Sequence, residues 1–468
     1  MTNMKNNAMI TRNLFTAKRL SIMLCMMLSG SILVGQGEKT MSLQACIDFA
    51  LENQEQLKNK GIDEQLAEKD IKATIATGLP QISGSAQVMR NITFQNFFSP
   101  NDDPTAPNHN PTAGDVVPIA FATPYSGDLK ITASQLLFSA TYLVGLKAAR
   151  TYKELTQKQT QQTKIDVITN VTKAYYGTVI NEHRLELMST IIEQLDTLLH
   201  QTEASYKIGL AEELDYERVK VNYNNNVTDK KNLERLIAFN HAQLKFQMGM
   251  DMNEKLSLSD KIDESFLADL KVINDETDFT NRIEYRLLST GIALQELDVK
   301  NYKSQYLPSL SLFGNLGWNT GALNTKGIFS KDDGVGWLRY SFVGLNMSIP
   351  IFDGFTKHTN IQKAKLEIRK LENQKAQLLQ QMNLELEQAN IAYYSGVDRF
   401  EIQKDNMSLA KDLYESAIDK QKIGVGTTQE VLEVRTIYKE AETNYYAALY
   451  DLLIAKVDKE KALGLIVK

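Results

Sequence analysis

The apolar positions of this chain follow two periods. Between residues 434 and 455 they fall at Val434, Tyr438, Ala441, Tyr445, Ala448, Leu452 and Ala455, in alternating steps of four and three. A period of 3.5 held that long predicts helices that supercoil on one another. Residues 141–207 and 356–423 are rich in Ala, Leu, Lys, Glu and Gln, which all favour helix. No proline interrupts Tyr125–Leu307 or follows Ile351, and proline is the residue that breaks helix interiors. A helix of about 65 residues, rising 1.5 Å per residue, is on the order of 100 Å long. No compact globular domain needs such an element.

The second period is two. After Pro80, the positions Ile82, Gly84, Ala86 and Val88 are apolar or small, and the positions between them are polar. After Pro308, Leu310, Leu312 and Leu316 alternate with Ser and Asn, and Val343, Leu345, Met347 and Ile349 alternate with Asn346 and Ser348. Such alternation predicts strands. We place four of them, at about 80–93, 127–138, 308–318 and 336–350. Each is roughly ten residues, the length at which a tilted strand crosses a bilayer. A soluble hairpin would show the same alternation. The loops between paired strands are long: 94–126 holds six of the nine prolines and the aromatics Phe94, Phe97, Phe98, Phe121 and Tyr125, and 319–335 is rich in Gly, Asn and Asp. Long loops at one end and short passages into helix at the other fit a barrel of the outer-membrane type.

Composition and charge narrow the class. The hydrophobic content of 43% is enough to build a sizeable core. The net charge of −5 argues against a nucleic-acid partner. Residues 1–37 nevertheless carry Lys5, Arg12, Lys18 and Arg19 and no acid, followed by the apolar run Leu20–Val34 and the small residues Gly35 and Gly37. That is the layout of a secretory signal peptide, too short for a comfortable membrane span. Leu24 stands before Cys25 where an acylation signal would need a small residue. Removal of the signal leaves Cys46 alone, so no internal disulfide is expected. Beyond residue 37 no stretch is apolar and long enough for a membrane helix. The five histidines show no metal spacing, and neither GxSxG nor a phosphate loop occurs. No cofactor, metal or catalytic residue is expected, and the chain does not read as an enzyme.

The order strand, strand, long helix, turn, long helix is expected twice. Tyr206-Lys207-Ile208-Gly209-Leu210 matches Gln421-Lys422-Ile423-Gly424-Val425 at an offset of 215, and Leu137-Phe138-Ser139 matches Ile351-Phe352-Asp353 at 214. Glycine between two helical patterns marks a hairpin tip. We read 38–250 as a first repeat with its tip at 206–211, 251–280 as an equatorial insertion, and 281–468 as a second repeat with its tip at 421–427.

Several motifs in this frame resemble the TolC-like outer-membrane efflux family. They are the stretch from Met41 to Gln54, the strand entries Leu79-Pro80 and Leu307-Pro308, Asn281-Arg282-Ile283-Glu284-Tyr285, and the two tips. The resemblance spans about residues 40–465. It implies a mostly α fold with a small β part: long antiparallel helical hairpins forming an α-barrel, plus four transmembrane β-strands per protomer. In a homotrimer these make a twelve-stranded β-barrel and a twelve-helix tunnel. Four strands cannot close a barrel alone, although the pattern by itself also allows a dimer or tetramer. The implied function is an exit duct in the outer membrane for tripartite efflux or type I secretion, reaching into the periplasm. Such a duct is loaded by an inner-membrane pump through a periplasmic adaptor, and its barrel is surrounded by outer-membrane lipid. The tip residues Lys207, Ile208, Gly209, Leu210, Lys422, Ile423, Gly424 and Val425 would meet the adaptor. Glu430 and Glu433 match two acidic positions at the pore mouth, where copies would form carboxylate rings; surface acids would look the same in sequence. Asp215 matches a first-hairpin gate position. The tyrosine and arginine that lock onto it in some members are Gln421 and Gly426 here, so a different lock is expected. The competing reading is a structural coiled-coil envelope protein without a pore.

Overall fold

The computed structural model describes residues 39–94, 96–100, 116–120, 122–260, 262, 278–330 and 335–466. The expected signal peptide lies outside these residues, as does most of the expected equatorial insertion. Seven α-helices stand among them: α1 (Leu43–Asn53), α2 (Glu55–Thr77), α3 (Ala140–Lys207), α4 (Glu213–Met248), α5 (Ile283–Ser304), α6 (Thr356–Lys422) and α7 (Thr428–Leu463). The strands are β1 (Lys39–Met41), β2 (Gln81–Arg90), β3 (Asn96–Pro100), β4 (Val116–Ala120), β5 (Tyr125–Phe138), β6 (Leu256–Leu258), β7 (Ser309–Ala322) and β8 (Leu338–Ser348). At 68 and 67 residues, α3 and α6 each run about 100 Å. α4 and α7, 36 residues apiece, fold back along them. None of these helices is apolar enough to cross a membrane.

Local chemistry sets the boundaries. Ser42, Ser139 and Thr427 cap α1, α3 and α7 through their hydroxyls. Pro80 and Pro308 stand directly before β2 and β7, where a helix cannot continue. α1 and α2 are separated by one extended residue, Gln54, a break the periodicity did not reveal. Against that break packs Gly249, the left-handed cap of α4 at φ 69°. The four expected strands are present with shifted ends. β5 and β7 each run to 14 residues because their loop-side ends pair with one another, Tyr125 with Ala322.

These strands form one antiparallel sheet in the order β2-β5-β7-β8, with β2 and β8 as free edges among the described residues. Its register sorts the side chains by face. Ala86 lies opposite Leu129, Leu129 opposite Trp318, Ile131 opposite Leu316, Gly314 opposite Val343 and Leu312 opposite Leu345. The other face carries Ser83, Ser85 and Gln87 on β2, Asp128, Lys130 and Thr132 on β5, and Asn315 and Ser311 on β7, with the aromatics Phe313, Tyr340 and Phe342 among them. There Tyr340 donates to Asp128 Oδ2 (2.8 Å) and Thr132 to Asn315 Oδ1 (2.5 Å). Neither face is packed on a core, and every residue of β2 is exposed.

The helices bury what core there is. One cluster gathers Cys46, Val171, Tyr175, Leu244 and Met248; two more run along α3, α6 and α7, around Leu449 and Leu452 and around Leu195 and Tyr414. Cys46 is fully buried, and burial pushes its thiol up to about 12. It therefore stays a neutral packing group, as its apolar setting in the sequence suggested. β1 pairs in parallel with β6, and Asp260 accepts from the Leu43 N–H (3.2 Å), so the N-terminal segment is tied to the chain that follows α4.

Candidate functional site: the hairpin tips and the seam behind them

The two tips are built alike. At the first, Gly209 takes φ 78°, its N–H donates to Tyr206 O (2.9 Å), and Leu210 N donates to Ser205 O (2.8 Å). At the second, Gly424 takes φ 80°, its N–H donates to Gln421 O (3.0 Å), and Val425 N donates to Lys420 O (3.0 Å). Each glycine ends its long helix and turns the chain into the return helix without Cβ strain. The tip apolars are largely uncovered: Ile208, Leu210, Ile423 and Val425 are 71, 79, 75 and 76% exposed. Lys207 pairs with Glu203 (2.9 Å), which raises the lysine pKa and lowers that of the acid. Lys422 pairs with Asp419 (3.1 Å).

Glu430 N–H is capped by Thr427 (3.1 Å), and the Glu430 carboxylate is 3.8 Å from Lys420. Glu433 lies one turn further along α7 and is exposed. Asp215 has an arginine neighbour after all, but from its own helix: Arg218 lies 3.7 Å away and reaches Gln429 of α7 at 3.5 Å. Gln421 donates to Thr428 (3.1 Å), within its own hairpin. Gly426 packs against the backbone of Gln421.

Sequence reasoning missed the seam behind the tips. Three polar links join α4 to α7: Arg218 to Gln429, Arg435 to Asn226 (3.5 Å), and Lys439 to Asp229. Arg435 is 2% exposed and rests against the Tyr414 and Tyr438 rings, 5.8 and 5.6 Å from their centroids. Its Nε and Nη1 have no acceptor among the described residues. Burial lowers the Arg435 pKa. Two turns on, Glu442 is 4% exposed, and burial raises its pKa against the lowering pull of Arg435. The two charges stand one residue outside the heptad stripe of α7, so the stripe itself did not mark them. No cluster of three or more metal-ligating side chains occurs among the described residues.

Long antiparallel helical hairpins joined to a four-stranded antiparallel sheet define the fold class of the chain. The chain belongs to the outer membrane efflux protein family, whose model matches residues 46–250 and 293–465. It is 22% identical over 407 residues to the outer membrane protein TolC of Vibrio cholerae serotype O1, covering 81% of this chain and 86% of that one. Among solved structures, the Campylobacter jejuni CmeC outer membrane channel superposes with a TM-score of 0.70 at 19% identity, over 90% of this chain and 85% of that one. CusC superposes at 0.69 and 16% identity, covering 91% and 93%. The VceC outer membrane protein of Vibrio cholerae superposes at 0.65 and 12% identity, covering 90% and 96%. The protein is thus an outer-membrane efflux channel and not an enzyme.

Proposed function

We propose that three copies of this chain close into one passive duct, each contributing four strands to a twelve-stranded barrel and four long helical segments to a tunnel beneath it. The observation that carries this reading is the sheet. An apolar face and two unpaired edges cannot stand in lipid, because each unpaired backbone group there costs several kcal/mol. Closure with further copies pairs the edges and turns the polar face of Asp128, Lys130, Thr132 and Asn315 toward water. On this reading the chain is internally duplicated, with α3–α4 and α6–α7 as equivalent hairpins. The duct serves tripartite efflux or type I secretion: an inner-membrane pump supplies the substrate and the energy, and a periplasmic adaptor seats on the tips. The four exposed tip apolars support adaptor contact, since their burial on a partner is favourable. Glu430 and Glu433 form the acidic rings at the mouth, and the α4–α7 links take the place of the absent tyrosine and arginine as the lock.

Planar-bilayer recording tests the duct and its rings together. The wild-type protein should conduct and prefer cations. The Glu430→Gln/Glu433→Gln variant conducts with a cation-to-anion permeability ratio moved toward unity. Unchanged selectivity would remove the rings from the account. A folded, heat-resistant oligomer that never conducts would instead point to a structural coiled-coil role.

A further inference from the structure

On the apolar face of the sheet only two described residues are charged, Arg90 at the end of β2 and Arg339 near the start of β8. All other charges on the sheet strands between them, Asp128 and Lys130, point to the polar face. Both arginines are exposed, and each stands by an aromatic ring. The Arg90 guanidinium lies 5.8 Å from the centroid of Tyr125, and Arg339 is directly opposite Trp318. Neither makes an ion pair among the described residues. Both sit at the loop end of the sheet, since the helices α2, α3, α5 and α6 all join the strands at the other end.

A guanidinium on a lipid-facing strand is costly at mid-bilayer and nearly free at the interface. Aromatic rings occupy that same interface. Among the described residues neither arginine has a counter-ion, and a guanidinium's planar fork matches a phosphate through two parallel hydrogen bonds. We propose that Arg90 and Arg339 hold the phosphate groups of anionic lipids around the outer rim of the channel. The proposal rests on the barrel reading above. It also uses the edges: closure places β2 of one copy beside β8 of the next, so one arginine from each would flank every subunit junction.

Native mass spectrometry of the purified oligomer tests this, with diphosphoryl lipid A and its dephosphorylated counterpart as probes. The wild type retains the diphosphorylated lipid by roughly tenfold or more over the phosphate-free one, since each surface cation contributes to holding an anionic head group. Arg90→Gln/Arg339→Gln loses that preference, and millimolar inorganic phosphate does not displace the lipid from the wild type. Equal retention of both lipids by the wild type, or an unchanged preference in the double variant, overturns the proposal. Displacement by inorganic phosphate overturns the lipid as the source of the anion. Single-channel conductance of the same preparations reports separately on the barrel: the double variant should conduct as the wild type does.

Discussion

The residue that asks most for explanation is Arg435. It is buried beside the stacked Tyr414 and Tyr438 rings, and among the described residues one long hydrogen bond, to Asn226, partners its guanidinium. A buried donor without an acceptor costs its full desolvation, so the remaining bond matters more than its length suggests. Asn226→Ala should therefore cost roughly 1–3 kcal/mol in a denaturant melt. No change would mean that water already serves the guanidinium. Glu442 gives the pH counterpart. Burial raises its folded pKa above the ordinary 4.5, so the neutral acid is the form the fold prefers. Its contribution is then fully present below 4.5 and is lost as pH rises through the raised value. Glu442→Gln, neutral throughout, should melt higher than the wild type at neutral pH, and the gain should vanish below 4.5. A gain that persists in acid would assign the effect to packing. Neither role was legible in the sequence. A heptad stripe shows which side of a helix is covered, but not that Arg435 and Glu442 at its margin are buried too, the first against Asn226 of α4, some 200 residues earlier in the chain.

At the scale of elements, much was legible because the signals are local. The Lys-Ile-Gly tips, the proline strand entries and the alternating strands are signals carried by a few neighbouring residues; α3 ends at Lys207 and α6 at Lys422, and β2 and β7 start directly after Pro80 and Pro308. The α1–α2 break and the extra length of β5 and β7 were not legible, since partners distant in the chain create them. Two glycines separate the local from the distant contribution. Gly424 has φ 80° and open space where a Cβ would stand, so Gly424→Ala carries backbone strain alone, about 1–2 kcal/mol. Gly249 has φ 69°, and a Cβ there would lie 2.8 Å from Asn53 O and 2.9 Å from Gln54 Cα. Gly249→Ala must strain its own backbone and also displace the α1–α2 junction. Hydrogen exchange should show fraying confined to the second tip in the first variant. In the second, protection should be lost across α1, α2 and the end of α4. Equal, local effects in both would mean that the junction yields freely.

For the whole molecule, the sheet decides what the long helices are for. Leu345 and Asn346 are adjacent on edge strand β8 and point to opposite faces, opposite Leu312 and Ser311 respectively. If the apolar face meets lipid, Leu345→Lys puts three charges into the hydrocarbon of one barrel, each costing roughly 2–4 kcal/mol at mid-bilayer. Asn346→Lys puts the same charges into a water-filled lumen, where they tune selectivity at little cost to folding. The variant at Leu345 should fail to form a heat-resistant oligomer in vesicles, while the variant at Asn346 assembles and conducts with weaker cation preference. Substitutions one residue apart, identical in charge and size, then differ only in the face they occupy. Equal tolerance of both would mean that water bathes both faces. In that case the free edges of β2 and β8 would have to be covered by something other than further copies in a membrane.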